Sequence, residues 1–420
     1  MKIYGKQNVW DAAIERIEWL YEEFGQICIC FSGGKDSTVA LEMTLIVARK
    51  LGKLPLKVFF LDQEAEWQST IDYVEEVMAR PEIEPIWVQT PIFMPNSVSQ
   101  ETPFLIAWED GKDDEWMRPK SDLVYKGDFE LIPEGVDRPK EGYWYEYFHR
   151  SARLIFGDEA GAFIVGIRAQ ESPNRATAIA KGVTYKWATW GKQHNPRYDQ
   201  YSFYPLYDWL TSDIWKAIHD NGWNYCKIYD EFYRYGISPH KMRVSNLTHE
   251  SAVQSLFYLQ EIEGNTWEKL TLRLGGINQA KHLQKEEMLT VKTVPPMFSG
   301  WKEYRDYLTE KLINEEKYRD MFKKAWARHD VFYAELRDPV ALYRNQIKSV
   351  LVNDHELAKL QPFLATAPMI NYRKWVQGGL WDEYRDPAGL TQIKIEYLEN
   401  KIEGKDVIGK SLRSYEAQVQ

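Results

Sequence analysis

Apolar positions along the first part of the chain alternate between two periods. From Val9 to Phe24 they fall at helical spacing (Val9, Trp10, Ala13, Ile14, Ile17, Leu20, Tyr21, Phe24), which predicts a helix with one buried face. Gln26-Ile-Cys-Ile-Cys-Phe31 is a short apolar run and predicts a buried strand, followed by a helix over Asp36–Leu51. Leu56–Leu61 predicts a second strand, Ser69–Met78 a helix and Ile83–Gln89 a third strand. From Thr90 to about Gly142 the pattern dissolves into Pro, Asn, Ser and clustered charge around Trp108 and Trp116. Residues 91–142 therefore read as an insertion, and a stretch of that length without a period is usually functional; it is expected to cover the site. Helical spacing returns over Tyr143–Phe156, and Ala162–Ile167 predicts a fourth strand ending at Arg168.

Strands alternating with helices predict an α/β fold built on a doubly wound parallel sheet. Ligands of such sheets bind beyond the carboxyl ends of the strands, and Ser32, Asp62 and Arg168 all fall there. Beyond Asn246 the texture changes: Thr266–Leu274, Trp301–Arg328 and Val340–Leu360 are amphipathic and rich in Lys, Glu and Arg. Two domains are expected, an α/β domain over 1–245 and a mainly helical one over 246–420.

The turn between the first strand and its helix carries Ser32-Gly33-Gly34-Lys35-Asp36-Ser37. Two glycines let the backbone turn tightly so that successive N–H groups point at an anion, and the positive end of the following helix adds to the attraction. Lys35 brings a mobile positive charge, and the hydroxyls of Ser32 and Ser37 add donors. A bare Gly-Gly corner would be unremarkable; six such residues behind an apolar strand describe a phosphate cradle. The fourth strand runs into Gly166-Ile-Arg168-Ala-Gln-Glu171-Ser172-Pro-Asn-Arg175, whose arginines offer bidentate recognition of phosphate or sulfate. Spacing alone equally admits a solvated loop with structural ion pairs.

Composition narrows the rest. A chain of 420 residues with 44% hydrophobic positions has ample core for two domains, and a net charge of −9 excludes a generally basic nucleic-acid coat. Of the three cysteines, Cys28 and Cys30 alternate along the first strand and Cys226 stands alone, so neither a zinc site, an iron–sulfur cluster nor a disulfide framework is expected. With no signal-peptide pattern and no membrane-length apolar run, a reduced, cytoplasmic protein without a membrane partner is expected.

Ser-Gly-Gly-x-Asp-Ser resembles the pyrophosphate loop of the adenine-nucleotide alpha-hydrolase superfamily, which includes the N-type ATP pyrophosphatases and the phosphoadenosine-phosphosulfate (PAPS) reductases. The resemblance extends through Asp62 with Trp67 and Thr70, through Gly166-x-Arg168-x-x-x-Ser172-x-x-Arg175, and through Tyr204–Trp209 and Asn224–Asp230 to Tyr233, Gly236, His240 and Arg243. It implies ATP or PAPS as ligand, with Ser32, Gly33, Gly34, Lys35 and Ser37 holding phosphates and with Asp36 or Asp62 placing Mg2+. It further implies that Arg168, Ser172 and Arg175 orient the alpha phosphate or an anionic acceptor, while His240, Lys241 and Arg243 close the pocket. Lys35, Asp62 and Arg168 are the residues expected to act in catalysis.

The departure from the family is informative. PAPS reductases attack sulfate with a cysteine near the C-terminus, and this chain has no cysteine after Cys226. Thiol-dependent reduction is not expected, and Cys226 itself reads as a packing residue. The insertion, the Tyr229-Asp-x-Phe-Tyr233 segment and the helical tail look closer to the immunoglobulin-binding regulator A proteins and their phage relatives, often called PAPS sulfotransferases. That likeness implies a possible ParB-like protein partner. Three functions stay open: an ATP pyrophosphatase that adenylates an acceptor, a PAPS-binding sulfotransferase, and a non-catalytic nucleotide-sensing regulator. Basic-aromatic stretches at Lys317–Arg328 and Asn371–Trp375 motivate the third, as surfaces for protein or nucleic acid.

Overall fold

The computed structural model describes residues 6–127, 144–277, 293–332 and 339–360, apart from isolated positions within them. The chain divides into two units, Met1–Met288 and Leu289–Gln420. The first is an α/β fold on a six-stranded sheet of order β3-β2-β1-β6-β8-β7. Its strands are β1 (Gln26–Cys30), β2 (Leu56–Leu61), β3 (Ile83–Val88), β6 (Gly161–Val165), β7 (Gly191–Asn195) and β8 (Gln200–Phe203). All neighbours pair parallel except β7, which runs antiparallel to β8 at the edge. The four strands expected from apolar runs are present. The β7–β8 pair was not anticipated, because Gly191-Lys-Gln-His-Asn195 has the polar composition of an edge strand and no apolar run.

Helices α1 (Val9–Glu23), α2 (Lys35–Leu51), α3 (Gln68–Met78), α4 (Trp144–Phe156) and α5 (Thr211–Asp220) flank the sheet's strands in sequence. The α2 helix is buried continuously from Lys35 to Leu45, polar residues included, so its N-terminus is held deep in the fold. Two short helices, α6 (Ile228–Arg234) and then α7 (Val253–Ile262), lead to α8 (Gly264–Arg273). Within the insertion, β4 (Ile92–Pro95) and β5 (Phe104–Ala107) form a separate antiparallel pair, and the expected remainder of the insertion beyond residue 127 lies outside the described residues.

The break between units lies later than the change of texture at residue 246 suggests, and side chains supply the reason. Glu263, between α7 and α8, accepts the backbone N–H groups of Gln68 (2.7 Å) and Ser69 (2.9 Å) and so caps α3. Those N–H groups have no partner within the helix itself. Arg273, at the end of α8, reaches the buried carboxylate of Glu64. Helical segments that look like the start of a second domain are thus stitched into the first.

The second unit contains α9 (Trp301–Leu312), α10 (Glu316–Phe332) and α11 (Pro339–Leu351). The amphipathic stretch Trp301–Arg328 holds two helices, separated at Ile313, whose backbone is extended (φ −91, ψ 109). At the centre of this unit Arg305, 1% exposed, donates to Asp330 (2.6 Å) and Gln346 (2.9 Å). The basic-aromatic stretch Lys317–Arg328 lies on α10 with Tyr318, Phe322 and Trp326 turned into the core and Lys317, Lys323 and Lys324 exposed. Its aromatic residues are core anchors. Asn371–Trp375 falls outside the described residues. Among the described residues no helix is long and apolar enough to cross a membrane.

Candidate functional site

The strand–turn–helix corner forms as its residues dictate. Gly33 adopts φ +68, and a Cβ there would stand 2.7 Å from the Thr70 side chain on α3, so only glycine fits both the dihedral and the space. Gly34 then caps α2 with extended backbone. The two serines lock the turn: Ser37 Oγ donates to the Gly34 carbonyl (2.9 Å) and accepts the Ser32 N–H (3.3 Å), with the two hydroxyls 3.1 Å apart. Ser32 is exposed, whereas Gly33 through Ser37 are buried. The first N–H groups of α2 have no acceptor within the helix, and together with the helix dipole they make an anion seat.

Cations gather at that seat. Lys35, 4% exposed, places Nζ 3.0 Å from Asp36 Oδ2 and 3.4 Å from the Met242 carbonyl. The other Asp36 oxygen accepts from Arg168 Nε at 2.5 Å. Arg168, 2% exposed, also donates to Gln170 (3.1 Å) and to Thr211 Oγ1 at the start of α5 (3.4 Å). Arg175 pairs with Glu171, and Arg243 donates to the Glu171 carbonyl (2.6 Å). Gly166 sets how closely this group approaches: a Cβ there would stand 2.7 Å from the Asp36 carbonyl carbon and 2.8 Å from the Ser37 nitrogen. With no side chain, the end of β6 packs directly on the first turn of α2.

Electrostatically the seat is strained in one direction. Burial pushes the Lys35 ammonium down from its usual range, opposed by the neighbouring Asp36 carboxylate. Burial likewise pushes Arg175 down, helped by the positive charges of Arg243 and Arg168. Lys35, Arg168, Arg175 and Arg243 are four cations against the two carboxylates of Asp36 and Glu171, an excess of two positive charges; Lys35 and Arg168 are buried, Arg175 is half-buried and Arg243 is exposed. Such an arrangement favours an anion of two or more charges.

The expected site residues divide. Ser32, Gly33, Gly34, Lys35, Asp36, Ser37, Arg168, Arg175 and Arg243 come together, and half-buried Ser172 joins them by accepting the Arg175 N–H (3.2 Å). His240 and Lys241 are exposed, and among the described residues no hydrogen bond ties His240 to the cradle. Asp62 sits at the end of β2 but is fully buried, and both its oxygens are taken. Oδ1 accepts from Arg118 (2.5 Å) and the Glu64 N–H (2.9 Å); Oδ2 accepts from Trp87 (3.0 Å) and Gln89 (2.8 Å). Asp36 is equally engaged by Lys35 and Arg168.

These carboxylates do not fit the expected Mg2+ role. That ion wants free carboxylate oxygens in near-octahedral geometry, whereas here each oxygen already faces a cation or an N–H donor. Among the described residues no three His, Cys, Asp or Glu side chains are grouped to hold a metal.

Asp62 instead anchors the insertion. Arg118 bridges Asp62 and the Glu64 carbonyl (2.7 Å), and Glu64 accepts the N–H groups of Trp108 (2.7 Å) and Met117 (3.2 Å). The insertion is thereby fastened onto the loop after β2.

Several contributors escaped the sequence reading. Tyr229 on α6, 3% exposed, accepts the Lys35 backbone N–H at 3.1 Å. Thr211 and the Met242 carbonyl are others. Tyr229 alone left a signal, since it lies inside the aromatic block that resembles the family's nucleotide-closing segment. Cys226 is buried, with Sγ 3.4 Å from the Ser69 carbonyl, and burial pushes its thiol up to about 11. This is packing chemistry, not a reactive thiolate.

Residues 26–127 and 137–236 match the phosphoadenosine phosphosulfate reductase domain, and residues 236–360 match a domain of unknown function, DUF3440. The uncharacterized protein YbdN of Escherichia coli (strain K12) is 31% identical over 331 residues, 74% of this chain and 78% of that protein. The chain belongs to the PAPS reductase domain family. Among solved structures, the PAPS reductase from Candida auris in a phosphate complex is 14% identical, with a TM-score of 0.33 over 59% of this chain and 98% of that one. The FMN adenylyltransferase of Candida glabrata, in complex with FMN and an ATP analogue, is 15% identical, with a TM-score of 0.33 over 59% and 66% of the two chains. The PAPS reductase domain match ends at Gly236, so Met242 and Arg243 belong to the segment matched by the domain of unknown function.

Proposed function

We propose that this chain binds ATP and cleaves it between the alpha and beta phosphates, adenylating an acceptor. The observation that carries this reading is the seat at the start of α2, where buried Lys35 and Arg168, with Arg175 and Arg243 toward its mouth, outnumber their carboxylate partners. In this mechanism the acceptor's nucleophile attacks the alpha phosphorus. The bond from that phosphorus to the bridging oxygen breaks, and pyrophosphate leaves with the electron pair. Lys35 and the N–H groups of the cradle hold the departing phosphates, and Arg168 meets the charge that develops at the alpha phosphate. Fixed donors in a dry site stabilise that charge without reorganising.

The test is incubation with alpha-labelled ATP. AMP, or an adenylated acceptor, together with pyrophosphate is the expected outcome; ADP and inorganic phosphate would contradict it. Membership in the PAPS reductase domain family favours a second reading, a PAPS-binding sulfotransferase that uses the same arginines for sulfate and 3′-phosphate. Tight PAPS binding with no ATP binding would select it.

A further inference from the structure

We propose that Tyr229 is itself a ligand of the bound phosphate, donating its phenolic proton to an oxygen of the beta or gamma group. The proposal rests on the nucleotide reading above and adds a residue to it. Tyr229 lies on α6, far from the cradle in sequence, yet its hydroxyl stands where the first N–H of α2 points: the Lys35 N–H donates to it at 3.1 Å. A Cβ on Gly34 would lie 3.5 Å from the same oxygen and 3.3 Å from the Val244 side chain, so the hydroxyl is pressed against the cradle's backbone.

A phenol oxygen that accepts an N–H group keeps its own proton to donate. Among the described residues no acceptor stands against that proton. The oxygen occupies one position of the anion seat, the position an oxyanion would take on the Lys35 N–H, and an anion held by the neighbouring N–H groups sits beside it. Burial and the Asp36 charge push the phenol up from its ordinary value, which keeps it a donor at any working pH. The Lys35 ammonium lies over the Tyr229 ring, 5.5 Å from its centre. One hydroxyl thus links two parts of the site: the cradle through the Lys35 N–H and the phosphate through its own proton.

The test compares pyrophosphate and AMP binding by calorimetry in the full chain and in Tyr229→Phe. Pyrophosphate affinity is expected to fall roughly tenfold, the usual weight of a charge-assisted hydrogen bond, while AMP, which lacks the terminal phosphates, binds as before. Site-specific replacement of Tyr229 by a fluorotyrosine covers the case of a phenylalanine variant that does not fold. Its hydroxyl is a stronger donor, so it is expected to tighten pyrophosphate binding at neutral pH while AMP binds as before, a split that a purely structural tyrosine does not produce. Unchanged pyrophosphate affinity in Tyr229→Phe, or in the fluorinated protein at neutral pH, overturns the proposal. Failure of the unaltered chain to bind pyrophosphate, ATP and PAPS alike overturns the nucleotide reading first.

Discussion

Asp36 Oδ1 lies 2.5 Å from Arg168 Nε, and its other oxygen lies 3.0 Å from Lys35 Nζ. One carboxylate therefore holds the two most buried cations of the seat in register. Removing either cation leaves Asp36 with the other, so neither truncation strands an uncompensated charge. Lys35→Ala is expected to fold and to bind ATP roughly tenfold or more weakly, since a charge-assisted contact is worth about 1.5–3 kcal/mol. Calorimetry with ATP and PAPS checks it; undiminished binding of both would remove Lys35 from the site.

Arg168→Ala is expected to behave differently. Stabilisation realised only as the alpha–beta bond breaks appears in turnover and not in ground-state affinity. Single-turnover rates and equilibrium affinity, measured on the same variant, should separate, with the rate falling further. Equal losses in both would make Arg168 an ordinary binding residue.

Arg273→Ala tests the seam between α8 and the loop after β2. Arg273 Nε and Glu64 Oε1 are 2.8 Å apart with both side chains nearly excluded from water. Truncating one partner of such a pair costs about 3–5 kcal/mol because the other charge is left buried. Denaturant unfolding of Arg273→Ala should show that loss, and a double change to Arg273→Met with Glu64→Gln should recover part of it. An unaltered midpoint in Arg273→Ala would argue that the pair is solvated.

Glu66 gives a pH dependence. Burial, reinforced by the nearby Asp62 charge, pushes its carboxyl from 4.5 up to about 8. The folded chain therefore holds a proton that the unfolded chain gives up, and this contribution to stability is complete below pH 4.5 and lost as pH rises through about 8. Glu66→Gln, which cannot ionise, should be more stable than the parent above about pH 8 and no different near pH 4.5. Thermal melts of the two proteins across that range check the sign; a gap that widens toward acid would reverse it.

Thiol chemistry should be dispensable. Cys28 is buried, Cys30 is pushed well up by burial, and the Cys226 thiol is pushed up to about 11. A Cys226→Ser variant that folds is expected to keep nucleotide turnover. Loss of turnover in folded protein, restored by cysteine at that position alone, would revive a thiol mechanism.

What the sequence made legible were features that one segment carries by itself. The loop from Ser32 to Ser37 announces itself because strand, glycines and charged residues are contiguous. The four parallel strands announce themselves because burial on both faces demands unbroken apolar runs. Asp62 was found at the right strand end but in the wrong role, since only the folded chain brings Arg118, Trp87 and Gln89 onto its oxygens. Tyr229 and Glu263 act on partners 194 and 195 residues away, at Lys35 and Gln68, and no local pattern marks such a contact. His240, carried over from a family pattern, stands exposed on a turn.

The capping of α3 by Glu263 bears on how the protein can be cut. A fragment ending near residue 245 would contain the complete loop, every strand of the large sheet and all the cations of the seat. It would also start α3 on bare amides, beside the Thr70 side chain against which Gly33 is fitted. The smallest piece expected to keep the cradle's shape therefore extends through Arg273, and a fragment truncated before α7 is expected to lose that shape while retaining every residue of the cradle.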